Sequence, residues 1–179
     1  MFFKMIDAIS NLVMKMRLKD LLKRNASQSK GIGKTFRSML VVLSEEEGYE
    51  IKHLSILADR LKIASKNITV VVLTKKENIE TQSAFKNTFV ISRKSIGIFG
   101  KIPPFVTQLF EKSFDLQLNF FNKRSVFLEF FSASFKSKLR TGFYKSNHEM
   151  NDLILDIDPH EKEVFLNETT TYLNALLKK

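Results

Sequence analysis

The sequence predicts an α/β protein built on a doubly wound, mainly parallel sheet, with a basic amphipathic helix in front of it. Three observations carry this expectation. Short apolar runs recur between residues 39 and 157 and alternate with stretches of helical periodicity, the pattern of a parallel sheet covered on both faces. A chain of 179 residues with 44% hydrophobic side chains accommodates one domain with an ordinary core plus a terminal extension. The charge is uneven: residues 1–37 hold nine Lys and Arg against two Asp, so +7 of the total +10 lies there. Residues 1–36 are therefore assigned to a helical extension and connector, and residues 37–179 to a single α/β domain.

The elements follow in order. Phe2, Ile6, Ile9, Val13 and Met16 recur at steps of three and four, with Phe3 and Leu12 widening the stripe. This predicts an amphipathic helix of four or five turns, continued with a rotated face by Leu18, Leu21 and Leu22. Lys19, Lys23 and Arg24 suit its negative pole. The polar, Gly-containing stretch 25–33 is a connector. Met39-Leu40-Val41-Val42-Leu43 is a continuous apolar run and predicts a central strand buried on both sides. Ser44 before Glu45, Glu46 and Glu47 has the form of an N-cap with a capping-box Glu47. Leu54, Leu57 and Leu61 give the helix that follows its apolar face.

Residues 68–73 predict a second strand and Phe89-Val90-Ile91 a third. A turn-rich loop leads to a helix over 104–112 with Pro near its first position. Strands are expected at 114–120, 139–144 and 153–157, an apolar helix at 125–135, and a last amphipathic helix at 161–177. The whole is a three-layer sandwich of Rossmann-like or flavodoxin-like type. In such sheets ligands bind beyond the carboxyl ends of the strands. Here those ends lead to Ser44, Thr74, Asn122, Asp156 and Asp158, which are the candidate ligand-site loops.

With no cysteine, disulfides, thiolate metal sites and a cysteine nucleophile are excluded. The N-terminus lacks the charge-free apolar stretch of a secretion signal, since Asp7 interrupts it and Lys15, Arg17 and Lys19 follow at once. No window approaches the roughly 20 apolar residues of a membrane span. A cytoplasmic, unprocessed protein is expected, with peripheral membrane contact open to it.

The segments Lys19-Asp20-Leu21-Leu22-Lys23-Arg24, Phe99-Gly100-Lys101-Ile102-Pro103 and Phe114-Asp115-Leu116-Gln117-Leu118 occur in this order. They are followed by Thr141-Gly142-Phe143-Tyr144 and Asn151-Asp152-Leu153-Ile154-Leu155-Asp156-Ile157. In order and spacing they resemble a family of small uncharacterised Bacteroidetes proteins, a domain of unknown function. The resemblance covers nearly the whole chain and implies a bacterial cytoplasmic protein, with no activity attached. A strand, an apolar helix and Arg140-Thr141-Gly142-Phe143, over residues 114–144 alone, look like part of the N-terminal domain of heptosyltransferase-type glycosyltransferases. Those enzymes bind the nucleotide-sugar mainly with a second domain that this chain is too short to contain.

Chemistry-bearing motifs are sparse. Gly31-Ile32-Gly33-Lys34-Thr35 ends like a phosphate-binding loop, but Gln28 stands where its first Gly belongs, and the segment precedes a strand instead of following one. His53, His148 and His160 have no metal-ligand spacing. Asp156, Asp158 and Glu161 read as a strand-to-helix turn with acids at the helix start, or as a Mg²⁺ site. No catalytic residue, metal or cofactor is assigned.

The leading expectation is a non-enzymatic binding or adaptor protein, held through its basic helix to an anionic partner. RNA or a ribonucleoprotein would meet phosphates through Lys15, Arg17, Lys19, Lys23, Arg24, Lys30 and Lys34. A membrane surface would take Phe2, Phe3, Ile6, Ile9 and Val13 into the lipid. The helix packing on its own domain is the plain alternative. A small nucleotide or phosphate ligand at the strand ends is the alternative function.

Overall fold

The computed structural model describes residues 2–27, 31–47, 52–77, 85–97 and 101–178, with the backbone alone at Phe2, Phe3, Lys4 and Ile6. Helix α1 (Phe2–Ser27) precedes β1 (Met39–Ser44), α2 (Lys52–Arg60), β2 (Ile68–Thr74) and β3 (Asn87–Ser92). Then come α3 (Pro104–Glu111), β4 (Ser113–Phe120), α4 (Val126–Ser134), β5 (Lys136–Phe143), β6 (Leu153–Leu155) and α5 (Lys162–Leu177). The six strands form one wholly parallel sheet in the order β3-β2-β1-β4-β5-β6. This is the Rossmann strand order.

Every residue of β1 and β2 is buried, as their mainly apolar sequences lead one to expect, with Ser44, Thr69 and Thr74 the polar members. Register places Val41 beside Val70 of β2 and Leu118 of β4. Side chains then alternate between two cores. Val41, Val70 and Leu118 share one core with Leu54 and Leu57 of α2 and Phe165 of α5. Leu40, Val42 and Val71 share the other with Leu109 of α3, Phe130 and Phe131 of α4, and Met14 of α1.

Three expectations need correction. The acidic run after β1 does not open an α-helix: Glu45–Glu47 is a 3₁₀ turn, and α2 begins at Lys52. Glu47 does not turn back as a capping-box residue, because its Oε2 accepts the backbone N–H of Asn122 at 2.8 Å. β6 stops at Leu155, and β5 begins three residues earlier than its apolar run, at Lys136. Exposed Lys136 and Lys138 alternate there with buried Ser137 and Leu139, a period-two start that an apolar-run criterion overlooks.

The third correction concerns α1. It is one helix of 26 residues and docks through a different face from the stripe read in sequence. Ser10, Met14, Leu18 and Asn25 are buried on the domain, with Leu21 and Leu22 beside them, while Met16 of the expected stripe is 64% exposed and Leu12 60%. Asn25 Nδ2 donates to the carbonyl of Ala133, and Arg93 bonds Asn11 and pairs with Asp7, fixing the two ends of the contact. With α1 over it, α4 is buried at every position from Phe127 to Ser134, which is why apolar residues fall on every side of it, with Glu129, Ser132 and Ser134 as the buried polar exceptions.

Helix α2 ends in a Schellman motif. Ile63 N donates to Ala58 O at 2.9 Å and Lys62 N to Asp59 O at 3.0 Å. The residue in left-handed conformation is Lys62, with φ 58°, where glycine is the usual occupant.

Candidate functional site

The strand order reverses between the parallel neighbours β1 and β4, so a crevice is expected beyond Ser44 and Phe120. Ser44 and Thr74 do line a cleft there, of about 210 Å³, together with Lys75, Lys123 and Arg124. The loop after β1 fills its surroundings with carboxylates instead of a glycine-rich phosphate cradle. Thr74 Oγ1 donates to Glu45, Lys76 pairs with Glu45, and Lys75 and Lys123 both pair with Glu46. Hydrogen bonds from Lys123 and then Lys75 hold the Glu46 carboxyl below its ordinary pKa. Glu47 joins this loop to the one after β4 through the N–H of Asn122, whose side-chain oxygen accepts from Lys145 N at 3.0 Å. The lysines at the switch point are thus already matched by acids.

Asp156 and Asp158 lie past β6, at the sheet edge and two strands from β4. Asp158 Oδ1 accepts the N–H of His160 at 2.9 Å, forming the turn into α5. Among the described residues no group of three or more His, Asp or Glu is placed to hold a metal.

The six described basic candidates do not form one patch. Arg17 and Arg24 line a groove between α1, α3 and α4, with Lys136 and the carboxylates of Asp20 and Glu111. Lys15 and Lys19 line another beside the start of α4, near Glu129 and Glu149. Lys23 is exposed on α1, and Lys34 lies at the opposite end of the sheet, in a cleft with Arg37 and Arg60. Lys30 falls outside the described residues.

The outward face of α1 is the more informative arrangement. Met5, Leu12 and Met16 are 54%, 60% and 64% exposed. Steps of seven and four put them in line, and steps of three and four carry the line on to exposed Lys19 and Lys23. Lys15 borders the same face. One helix therefore presents a solvent-facing aliphatic row opposite the face that holds it to the domain, running into Lys23 and into Lys19 at the rim of the groove beside α4.

A buried polar network under α4 escaped the sequence reading. Ser137 Oγ donates to Gln117 Oε1, Gln117 Nε2 to Asn119 Oδ1, and Asn119 Nδ2 to Asn151 Oδ1, at 2.7–2.8 Å. Asn151 reaches Ser146 and the Asn147 carbonyl, and Asn147 Nδ2 donates to Glu129 Oε2 at 2.7 Å. Glu129 also accepts from Arg124 and from Ser125 N. Gly142 faces this network: a Cβ there would stand 2.4 Å from Asn151 Nδ2. Arg140, 1% exposed, donates through Nη2 to the Phe135 carbonyl. Burial lowers its pKa, Asp152 opposes that, and Arg24 adds to it. The network locks β4, β5, α4 and the 3₁₀ turn His148–Met150 into one register. A signal existed in β4, where Asp115, Gln117 and Asn119 alternate with Leu116, Leu118 and Phe120, whereas strands inside a parallel sheet usually read as near-continuous apolar runs.

Strand order and loops together define the class: a parallel α/β protein of Rossmann order whose switch-point crevice is bridged by carboxylates and whose outer helix carries an exposed aliphatic and basic face. The chain belongs to a family of unknown function, DUF6913, whose model matches residues 11–176. No curated protein and no solved structure matches it.

Proposed function

We propose that this is a non-enzymatic binding or adaptor protein that docks on an anionic membrane surface through the outer face of α1, at the cytoplasmic leaflet. The observation that carries it is the aliphatic row Met5, Leu12 and Met16 on the side of the helix turned away from the domain, continued by exposed Lys23 and by Lys19 at the edge of that side. A helix lying in a membrane interface buries its apolar face and sets lysines among anionic headgroups. Each lysine near such a surface contributes about 1 kcal/mol, and each aliphatic side chain about 1.5–3 kcal/mol when fully buried. RNA would use the lysines and leave the aliphatic row in water, so the membrane accounts for more of the face. Among the described residues no helix is long and apolar enough to cross a membrane. The matched lysines at the β1–β4 switch point weigh against a nucleotide there.

The test is flotation of the full chain with phosphatidylglycerol-containing vesicles and with pure phosphatidylcholine vesicles. Salt-sensitive flotation with the first alone is expected, lost in Leu12→Glu/Met16→Glu without change in the far-UV circular dichroism. Equal flotation of that variant, or retention of an RNA oligonucleotide in place of the vesicles, would overturn the proposal.

A further inference from the structure

The strongest unassigned feature lies at the amino end of the sheet. A cleft of about 760 Å³ is lined by Lys34 and Arg37 from the segment before β1, Arg60 and Lys62 at the end of α2, and Lys178 after α5. No Asp or Glu lines it. That separates it from the three clefts described above, whose cations stand beside Asp20 and Glu111, beside Glu46, or beside Glu129 and Glu149.

The ends of α2 and α5 account for part of this charge, since cations there offset the negative poles of the helix dipoles. They do not account for Lys34 and Arg37, which come from non-helical chain. Nor do they account for the choice of residue at position 62. A left-handed residue at a Schellman C′ position is least costly as glycine, yet the chain places a lysine there at φ 58°. Backbone cost accepted at one residue points to a use for its side chain. The segment Gly31-Ile32-Gly33-Lys34-Thr35, which has the ending of a phosphate loop without its strand-to-helix setting, also delivers Lys34 and Thr35 to this cleft.

We infer that the cleft binds a polyphosphate anion, a run of several contiguous phosphates. Five cations on three chain segments suit a ligand with more than one phosphate. The only aromatic residue in the lining, Phe36, is 3% exposed and offers no surface for base stacking, so recognition runs through phosphate. The ligand is either inorganic polyphosphate or the phosphate tail of a nucleoside polyphosphate. This site is separate from the outer face of α1 and does not rest on the membrane proposal.

Isothermal titration calorimetry of the full chain with inorganic tripolyphosphate, ATP and AMP tests this. Tripolyphosphate and ATP bind and AMP binds far more weakly, with affinity falling as salt rises. A tighter fit for ATP than for tripolyphosphate would identify the nucleoside polyphosphate as the source, and the reverse would identify the inorganic chain. Lys62→Gly separates site from fold. Its denaturation midpoint stays equal or rises, because glycine relieves the left-handed residue, while tripolyphosphate affinity drops about tenfold with the loss of one charge-assisted contact. Lys34→Ala weakens binding similarly. Absence of tripolyphosphate binding, AMP binding as tight as ATP, or unchanged affinity in both variants would overturn the inference.

Discussion

Met14 and Met16 are two residues apart on one helix, and the orientation of α1 makes them opposites. Met14 is fully buried in the core that holds Phe130 and Phe131, while Met16 is 64% exposed. Truncating a well-packed methionine to alanine removes its transfer free energy and leaves a cavity, at a cost of about 2–5 kcal/mol. For Met14 we expect about 3 kcal/mol, because α4 lies between α1 and the sheet and cannot collapse far toward the gap. In a chain of this size that corresponds to a fall in Tm of roughly 6–12 °C. Met16→Ala should stay within about 0.5 kcal/mol of the wild type, as surface substitutions do. Urea denaturation followed by circular dichroism measures both, with unchanged m-values expected. Equal stability losses, or a larger loss for Met16→Ala, would refute the docking face of α1 and with it the outward position of the aliphatic row.

Other perturbations follow from the same contacts. Deleting residues 1–27 should yield an aggregating protein, seen by light scattering, because it uncovers Phe127 and Phe130 of α4; binding is therefore better tested by point substitutions on the outer face. Gly142→Ala forces a Cβ into Asn151 and should cost about 1–3 kcal/mol in urea titration, a loss partly recovered in the double variant with Asn151→Ala. Glu46, Glu111 and Asp115 are all held below their ordinary pKa. For Glu46 the leading cause is Lys123 and for Glu111 it is Lys136; at Asp115 burial acts upward, but Lys138 and the N–H groups of Arg37 and Ser38 outweigh it. A carboxyl depressed in the folded state stabilises it above the unfolded pKa, and that stability is lost as pH falls through the folded value. The urea midpoint should accordingly be flat near neutrality and fall below about pH 4.5; a midpoint that rises on acidification would contradict this.

Much of the fold was legible because the central strands are unambiguous. Met39 to Leu43 has no polar residue and Ile68 to Leu73 only Thr69, short β-branched runs of the kind a strand covered on both faces shows. The edges were less legible. β5 begins with alternating lysines, and the acidic turn after β1 imitates a helix start although its glutamates serve Asn122, Thr74 and three lysines distant in sequence. For α1 the periodicity was real but ambiguous, because the helix is apolar on two sides and sequence does not say which side meets the domain. Ser10 and Asn25 belong to the buried side, against the usual preference of polar residues. The basic candidates were found as a count and scattered by the fold, since Arg17, Lys19 and Lys34 face different clefts. The network from Gln117 to Glu129 depends on contacts between elements distant in the chain, and only the polar alternation in β4 marked it.

The central claim is that the outer face of α1 enters an anionic lipid interface. The chain has no tryptophan, so Met16→Trp provides a single emission reporter in the middle of the exposed row. Its emission should shift to the blue on adding phosphatidylglycerol-containing vesicles, return toward the aqueous value at high salt, and stay unchanged with phosphatidylcholine alone. Emission that remains aqueous in the presence of anionic vesicles would contradict the account.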